Sequence, residues 1–152
     1  MDKSIARMIT LLARKSQGYI GHALSKYNLS SAEQPFFMAL QHYEGVTQED
    51  LTALVCVDKA ATARAVKSLE EKGFLVRLQD TQDRRQNRIY PTDAAKQLAD
   101  AVHRELLHFN DLLTEGIEPS TLELVYHALQ KMDSNFPSIA EKKSRTGKRG
   151  GL

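Results

Sequence analysis

No run of apolar residues in this chain approaches the ~20 needed to span a bilayer, so a membrane-spanning reading is excluded. A single cysteine, Cys56, permits no internal disulfide and points to a reducing, cytoplasmic setting. Met1-Asp2-Lys3 leads straight into an amphipathic pattern and does not read as a secretory leader. Glycines number only eight, with no glycine-rich phosphate loop among them. A nucleophile elbow and a Cys/His pair in a cleft signature are also missing, so nothing points to an enzyme or a bound cofactor. Charge of one sign is scarce too: the formal net charge is +2. The segment 138–152 alone carries five Lys/Arg and one acid, leaving the other 137 residues at −2. Any affinity for a polyanion must therefore come from local clustering. Apolar content is 41% over 152 residues, enough for one compact domain or two small interlocked lobes.

The densest pattern lies at 57–92. Asp58 is placed to cap a helix by accepting a backbone N–H, and Gly73 to end it in a left-handed turn. Between them Thr62, Ala65, Val66 and Leu69 recur at helical spacing and predict a buried stripe. Ala60, Ala63, Arg64 and Lys67 make the opposite face small and basic, suited to close approach to a phosphate backbone and base edges. A strand over 74–79 follows, then a polar loop over 80–88 holding Asp83, Arg84, Arg85 and Arg88, then a second strand over 89–92. A basic helix beside an arginine-bearing hairpin is the layout of a winged helix-turn-helix.

Upstream, residues 4–28 read as one long helix, with Ile5, Met8, Ile9, Leu12, Tyr19, Ile20, Ala23, Leu24 and Tyr27 three and four apart. A second helix over 31–43 has Ser31 with Gln34 as its expected capping box and Ser30 with Glu33 as the competing one. Thr47 and Asp50 open a short third helix with Leu51, Leu54 and Val55 inward. Cys56, between two valines, is expected to be buried and inert. Downstream, Thr92 or Asp93 caps a long helix striped by Ala95, Leu98, Ala99, Val102, Leu106, Phe109, Leu112 and Leu113 and stopped by Gly116. Ser120 with Glu123 is expected to cap a last helix running to Pro137. The first and last helices carry more apolar residues than one short reading head can cover, which predicts a homodimer built from them. The expected organisation is a helical dimerisation region at 1–30 and 93–137, a winged helix-turn-helix at 31–92 and a disordered basic tail at 138–152.

These segments resemble the MarR (multiple antibiotic resistance regulator) family. The wing carries the likeness most specifically: Asp83-Arg84-Arg85, then Gln86-Asn87-Arg88, Ile89, Tyr90, Pro91, Thr92. The run Leu69-Glu70-Glu71-Lys72-Gly73-Phe74-Leu75-Val76-Arg77 is similar to the family's passage from recognition helix to wing. Pro91 departs from the usual leucine and is expected to loosen the last wing pairing; Ala95 stands where glycine often occurs. The resemblance implies a mainly α fold with a β-hairpin wing and a dimeric, ligand-responsive regulator, expected to repress, on palindromic double-stranded DNA. It places a recognition helix at 58–72 and a wing at 80–88. Arg64 would read bases or phosphates, with Lys59, Ala60, Ala61, Thr62 and Lys67 nearby. Arg85 would enter the minor groove, Arg84 and Arg88 would meet phosphates, and Asp83 would orient the wing by pairing with a basic neighbour. A phenolic or lipophilic anion bound between the dimer helices and the reading head would be the effector.

Three bland or rival readings stand beside this one. Arg64 and Lys67 are a salt-bridged surface pair if Glu70 and Glu71 neutralise them. The five histidines and Cys56 raise metal or redox sensing on the same fold, but no His-x-x-x-His pair places two ligands on one helix face. A dimeric interaction module with no specific DNA binding is the reading from a different class.

Overall fold

The computed structural model describes residues 3–137. In chain order these form α1 (Ile5–Leu24), a 3-10 turn (Ser25–Tyr27), α2 (Gln34–His42), α3 (Gln48–Val55), α4 (Lys59–Glu71), β1 (Leu75–Gln79), β2 (Asn87–Pro91), α5 (Asp93–Thr114) and α6 (Pro119–Ser134). The fold is the mainly helical winged helix-turn-helix that the sequence predicts, with one two-stranded antiparallel sheet. By its contacts the chain divides into two compact units that meet after Asp111. The basic tail lies outside the described residues.

In the first unit each element starts or stops on a nameable residue. Ser4 accepts the Arg7 N–H to open α1. The long first helix ends at Leu24, tightens into the 3-10 turn, and is closed by Asn28 in the left-handed region (φ 59°), which Asn tolerates better than most residues. At the next helix the competing cap is the one used: Ser30 Oγ accepts from Glu33 N and Glu33 Oε2 accepts from Ser30 N. The Ser31 box fails because Glu33 is drawn inward and only 4% exposed. Thr47 and Asp50 form the expected reciprocal box on α3, and Asp58 Oδ1 accepts the Ala61 N–H to open α4.

The core collects one or more side chains from every element of this unit: Leu24, Phe36, Phe37, Leu40, Leu51, Val66, Leu69, Leu75, Ile89, Ala95 and Val102. All four predicted stripe residues of α4 are buried. Each large aliphatic among them contributes roughly 1.5–3 kcal/mol by leaving water. Phe37 meets Phe74 edge to face at 5.6 Å. Two inward assignments are corrected. Leu54 is exposed, because an eight-residue helix buries one face and Leu51 occupies its centre. Cys56 is exposed, because it is the left-handed C-cap of α3 (φ 58°), where the chain reverses into α4.

β1 and β2 pair in the register Leu75↔Pro91 to Gln79↔Asn87. Pro91 does not loosen this ladder. The pairing continues past it through Thr92 N to the Phe74 carbonyl (3.1 Å), and the bonds alternate along each strand. Pro91 therefore lies at a position whose N–H would point away from β1. Thr92 also accepts the Ala95 N–H and donates to the Gly73 carbonyl, joining the wing base to the start of α5.

The second unit begins at Leu112. Gly116 (φ 76°) precedes α6, which opens on Pro119 with Glu118 as its cap residue. The expected Ser120 box does not form; proline at the first helical position sets the cap at Glu118, two residues earlier. Leu124, Val125, Tyr126, Leu129 and Phe136 are all exposed.

One polar cluster lies inside the first unit. Glu33 accepts from the Ser30 N–H (2.9 Å), from Ser68 Oγ and from Lys72 Nζ (2.8 Å). Burial pushes its carboxyl up, but Lys72, Ser68 and the Ser30 N–H together outweigh burial and hold it below the ordinary glutamate value of 4.5. A depressed carboxylate stabilises the fold above its unfolded pKa and loses that contribution as pH falls through the folded value. The stability gap between the parent and Glu33→Gln should therefore be constant above the ordinary glutamate range and close on acidification below it. Urea midpoints measured across that range check this; a gap independent of pH would show that the charge of Glu33 stabilises nothing.

Candidate nucleic-acid interface

The basic face of α4 exists because its other face is committed. With Thr62, Ala65, Val66 and Leu69 inward, Lys59, Ala60, Ala63, Arg64 and Lys67 are exposed, and Ala61 is half-buried between the two sets. Thr62 is fully buried and so leaves the expected contact set. Its Oγ1 donates to the Asp58 carbonyl (3.0 Å) and accepts from Thr52 Oγ1 (2.9 Å), stitching α3 to the first turn of α4.

The salt-bridged reading of Arg64 and Lys67 fails on geometry. Glu70 is taken by Arg77, whose Nε lies 3.1 Å from its Oε2. Arg77 Nη1 also reaches Gln48 Oε1 (3.3 Å), so this wing arginine braces the end of α4 against the start of α3. Among the described residues no ion pair includes Arg64, Lys67 or Lys59. Desolvated acid partners are absent there, and a phosphate would meet unneutralised cations.

The wing loop is built by two short acid-capped turns. Asp80 Oδ1 accepts the Gln82 N–H and Asp83 Oδ1 accepts the Arg85 N–H, both at 3.0 Å. Gln86 N donates to the Asp83 carbonyl (3.0 Å), and Gln79 Nε2 holds the Arg84 carbonyl (2.7 Å). Arg84 and Arg85 are left exposed at the tip. Asp83 thus shapes the tip through a backbone N–H, and the expected pairing with a basic side chain is made instead by Asp80. Arg88 Nε lies 2.9 Å from Asp80 Oδ2, and Arg88 Nη1 donates to the Gly45 carbonyl (2.9 Å). The Gln82 N–H and the Arg88 guanidinium hold the Asp80 carboxyl below its usual range. Arg88, expected on phosphate, begins β2 with Asn87; its side chain is partly exposed and bonded to Asp80 and the Gly45 carbonyl.

That tether fixes the wing to the turn between α2 and α3. Gly45 N donates to the Ile89 carbonyl (2.9 Å) and Ile89 N to the Val46 carbonyl (2.8 Å), an isolated bridge beside the hairpin. Gly45 needs to be glycine twice over: its φ is +74°, and a Cβ there would stand 3.0 Å from Tyr90 Oη. Sequence reading missed Arg77, Arg88 and Gly45 as positioning groups. The first two looked like any charged wing residue, and only Asp80, eight positions before Arg88, offered a signal.

Among the described residues no three His, Cys, Asp or Glu side chains gather as a metal site requires. No helix among them is long and apolar enough to cross a membrane.

Comparison with known proteins places this geometry. Residues 37–86 match the model of the MarR family. A MarR transcriptional regulator from Methanosarcina mazei Go1 is 30% identical, with 86% of this chain and 94% of that one covered and a TM-score of 0.80. The uncharacterised HTH-type transcriptional regulator YybA of Bacillus subtilis is 26% identical over 84% of this chain and 87% of its own length. A Listeria monocytogenes protein solved with 26mer DNA is 24% identical, covers 99% of this chain and 98% of its own, and superposes with a TM-score of 0.83.

Arg88→Met should free the wing without unfolding the core. Amide exchange across 80–90 should accelerate while that of the buried α4 turn at 65–69 stays within roughly a factor of two, because local opening and global stability are separate quantities. Uniform acceleration in both segments, or none in either, would show that Arg88 does not hold the wing.

Proposed function

The chain belongs to the MarR family of transcriptional regulators, and from that premise we propose that it binds palindromic operator DNA as a homodimer and represses transcription until a small ligand intervenes. The observation that carries the proposal is the exposed, ion-pair-free face of α4, with Lys59, Arg64 and Lys67, beside a wing whose tip leaves Arg84 and Arg85 exposed. Small residues at Ala60 and Ala63 let that face approach a groove closely. The likeness to the Listeria protein that was solved with DNA supports the same use of the fold.

Arg64 takes the role of base reader in the major groove, flanked by Lys59, Ala60, Ala61 and Lys67. Arg85 takes the minor groove and Arg84 a phosphate. Thr62, Asp83 and Arg88 act behind this surface by holding α4 and the wing in place. Dimerisation rests on surplus apolar surface: Ile5, Met8, Ile9, Leu11 and Leu12 of α1 are exposed, as are the α6 residues. Apolar residues exposed at that density on a helix mark an interface, and two reading helices about 34 Å apart fit successive major grooves of a palindrome. A ligand site is supported by a recess of about 470 Å³ lined by Tyr19, His22, Ala23, Lys26, Glu105 and His108. Tyr19, whose ring lies tilted 5.3 Å from Phe109, gives the recess an aromatic side, and Lys26, paired there with Glu105, gives it a polar one.

Arg64→Ala should cost ~1–3 kcal/mol in duplex binding and relax base preference at one position of each half-site. Arg85→Ala should weaken binding most on duplexes with a narrow A·T-rich minor groove. Titrations against duplexes enriched from a random pool test both; parental affinity and preference in the two variants would reject the assignment.

A further inference from the structure

The polar cluster around Glu33 joins three parts of the first unit that the proposed function needs at a fixed angle. Lys72 is the C-cap residue of α4. Its Nζ donates to the Asn28 carbonyl (2.9 Å) at the close of the α1 arm and to Glu33 Oε2 (2.8 Å) at the start of α2. Ser68, one turn earlier on α4, donates to the other oxygen, Glu33 Oε1. The Glu33 carboxylate thus has a donor on each oxygen from α4 and a third from its own cap, with 4% of the residue exposed. Among the described residues no buried side-chain oxygen or nitrogen lacks a partner, so the cluster is satisfied.

A buried ion pair is a poor source of net stability, since desolvation offsets most of its attraction. What it does supply is a definite geometry: three directed bonds hold the end of α4, two to Glu33 at the start of α2 and one to the Asn28 carbonyl after α1. Apolar packing along Thr62, Ala65, Val66 and Leu69 holds α4 down but tolerates a small roll. Even a small roll would carry Arg64 off a base edge while leaving it near phosphate. Directed hydrogen bonds at the far end of the helix are what resist it.

We infer that Glu33, through Lys72 and Ser68, is a positioning residue that sets the pitch of the reading helix and thereby the sequence discrimination of the protein. This rests on the DNA-binding reading above. Neither Glu33 nor Lys72 touches DNA in it; both act through α4.

The test takes a duplex enriched from a random pool by the parent chain and a mixed-sequence duplex. Affinities of both are measured for the parent, Glu33→Gln, Lys72→Met, Lys72→Arg and Ser68→Ala, with melting temperatures recorded. Glu33→Gln and Lys72→Met should each lose roughly tenfold on the enriched duplex and stay within about twofold on the mixed one; Lys72→Arg, which keeps charge and donors, should stay close to the parent on both. The Lys72 variants decide the matter if Glu33→Gln fails to fold, because Lys72 sits at the partly exposed edge of the cluster. Spin labels on Lys15→Cys and Lys59→Cys in a Cys56→Ser background, diluted with unlabelled chain, should show a broadened α1–α4 distance distribution in Lys72→Met. Parental discrimination in both charge-removing variants overturns the inference and leaves the DNA-binding reading standing. So does an even loss on both duplexes in step with melting temperature, which would mean a purely structural cluster. A parent chain that enriches no duplex removes the DNA-binding reading, and this inference with it.

Discussion

Commitment of one face of α4 to the core is the constraint on which everything else turns. A thirteen-residue helix with a basic surface has no reason to lie still in water. Thr62, Ala65, Val66 and Leu69 hold it by burial, and the Thr52–Thr62–Asp58 hydrogen-bond chain pins its first turn. Once that face is fixed, the opposite face is fixed too. Among the described residues the cations on it, Lys59, Arg64 and Lys67, form no ion pair, and that local placement rather than overall basicity is what counts. The near-neutral net charge sharpens the point: specificity of placement replaces excess of charge.

The acids near this surface are used to brace it. Glu70 holds Arg77, Asp80 holds Arg88, and Asp83 and Asp80 cap turns inside the wing. Each carboxylate that pairs with a positioning arginine is one fewer that can neutralise Arg64, Lys67, Arg84 or Arg85. Exposed pairs of this kind add little stability, commonly below 1 kcal/mol. Their effect is geometric: they tie the wing to the turn between α2 and α3 and to the end of α4.

Local rules in the sequence revealed those parts that local physics decides. Asp58, Thr47 and Gly73 sit where caps and a left-handed stop must be, and the α4 stripe follows from period alone. The winged helix-turn-helix was legible for that reason. What escaped depended on contacts between distant segments or on backbone sign. Cys56 looked buried between two valines, but as a left-handed C-cap its side chain turns outward. Ser30 won over Ser31 because Glu33 is drawn in by Ser68 and Lys72, thirty-five and thirty-nine positions away. Thr62 was assigned both to the buried stripe and to the DNA face, and only burial could decide between them. Pro91 looked disruptive until the register showed its missing donor on the unpaired side.

The exposed apolar residues close the argument on assembly. Ile5, Met8, Ile9, Leu11 and Leu12 crowd about two turns of one helix, and Leu124, Val125, Tyr126 and Leu129 crowd a shorter stretch of another. Scattered surface leucines need no explanation, but such density along whole helices does. Within the first unit α1 buries Leu24 in the core and packs Ile20 against it, so the apolar residues of its first half lie outside that core. Surplus apolar surface of this kind is what supports the homodimer proposed above. The 3-10 turn after α1 closes at Asn28, whose carbonyl Lys72 holds, so in the proposed dimer the arm that would set the angle between copies is joined to the end of each α4.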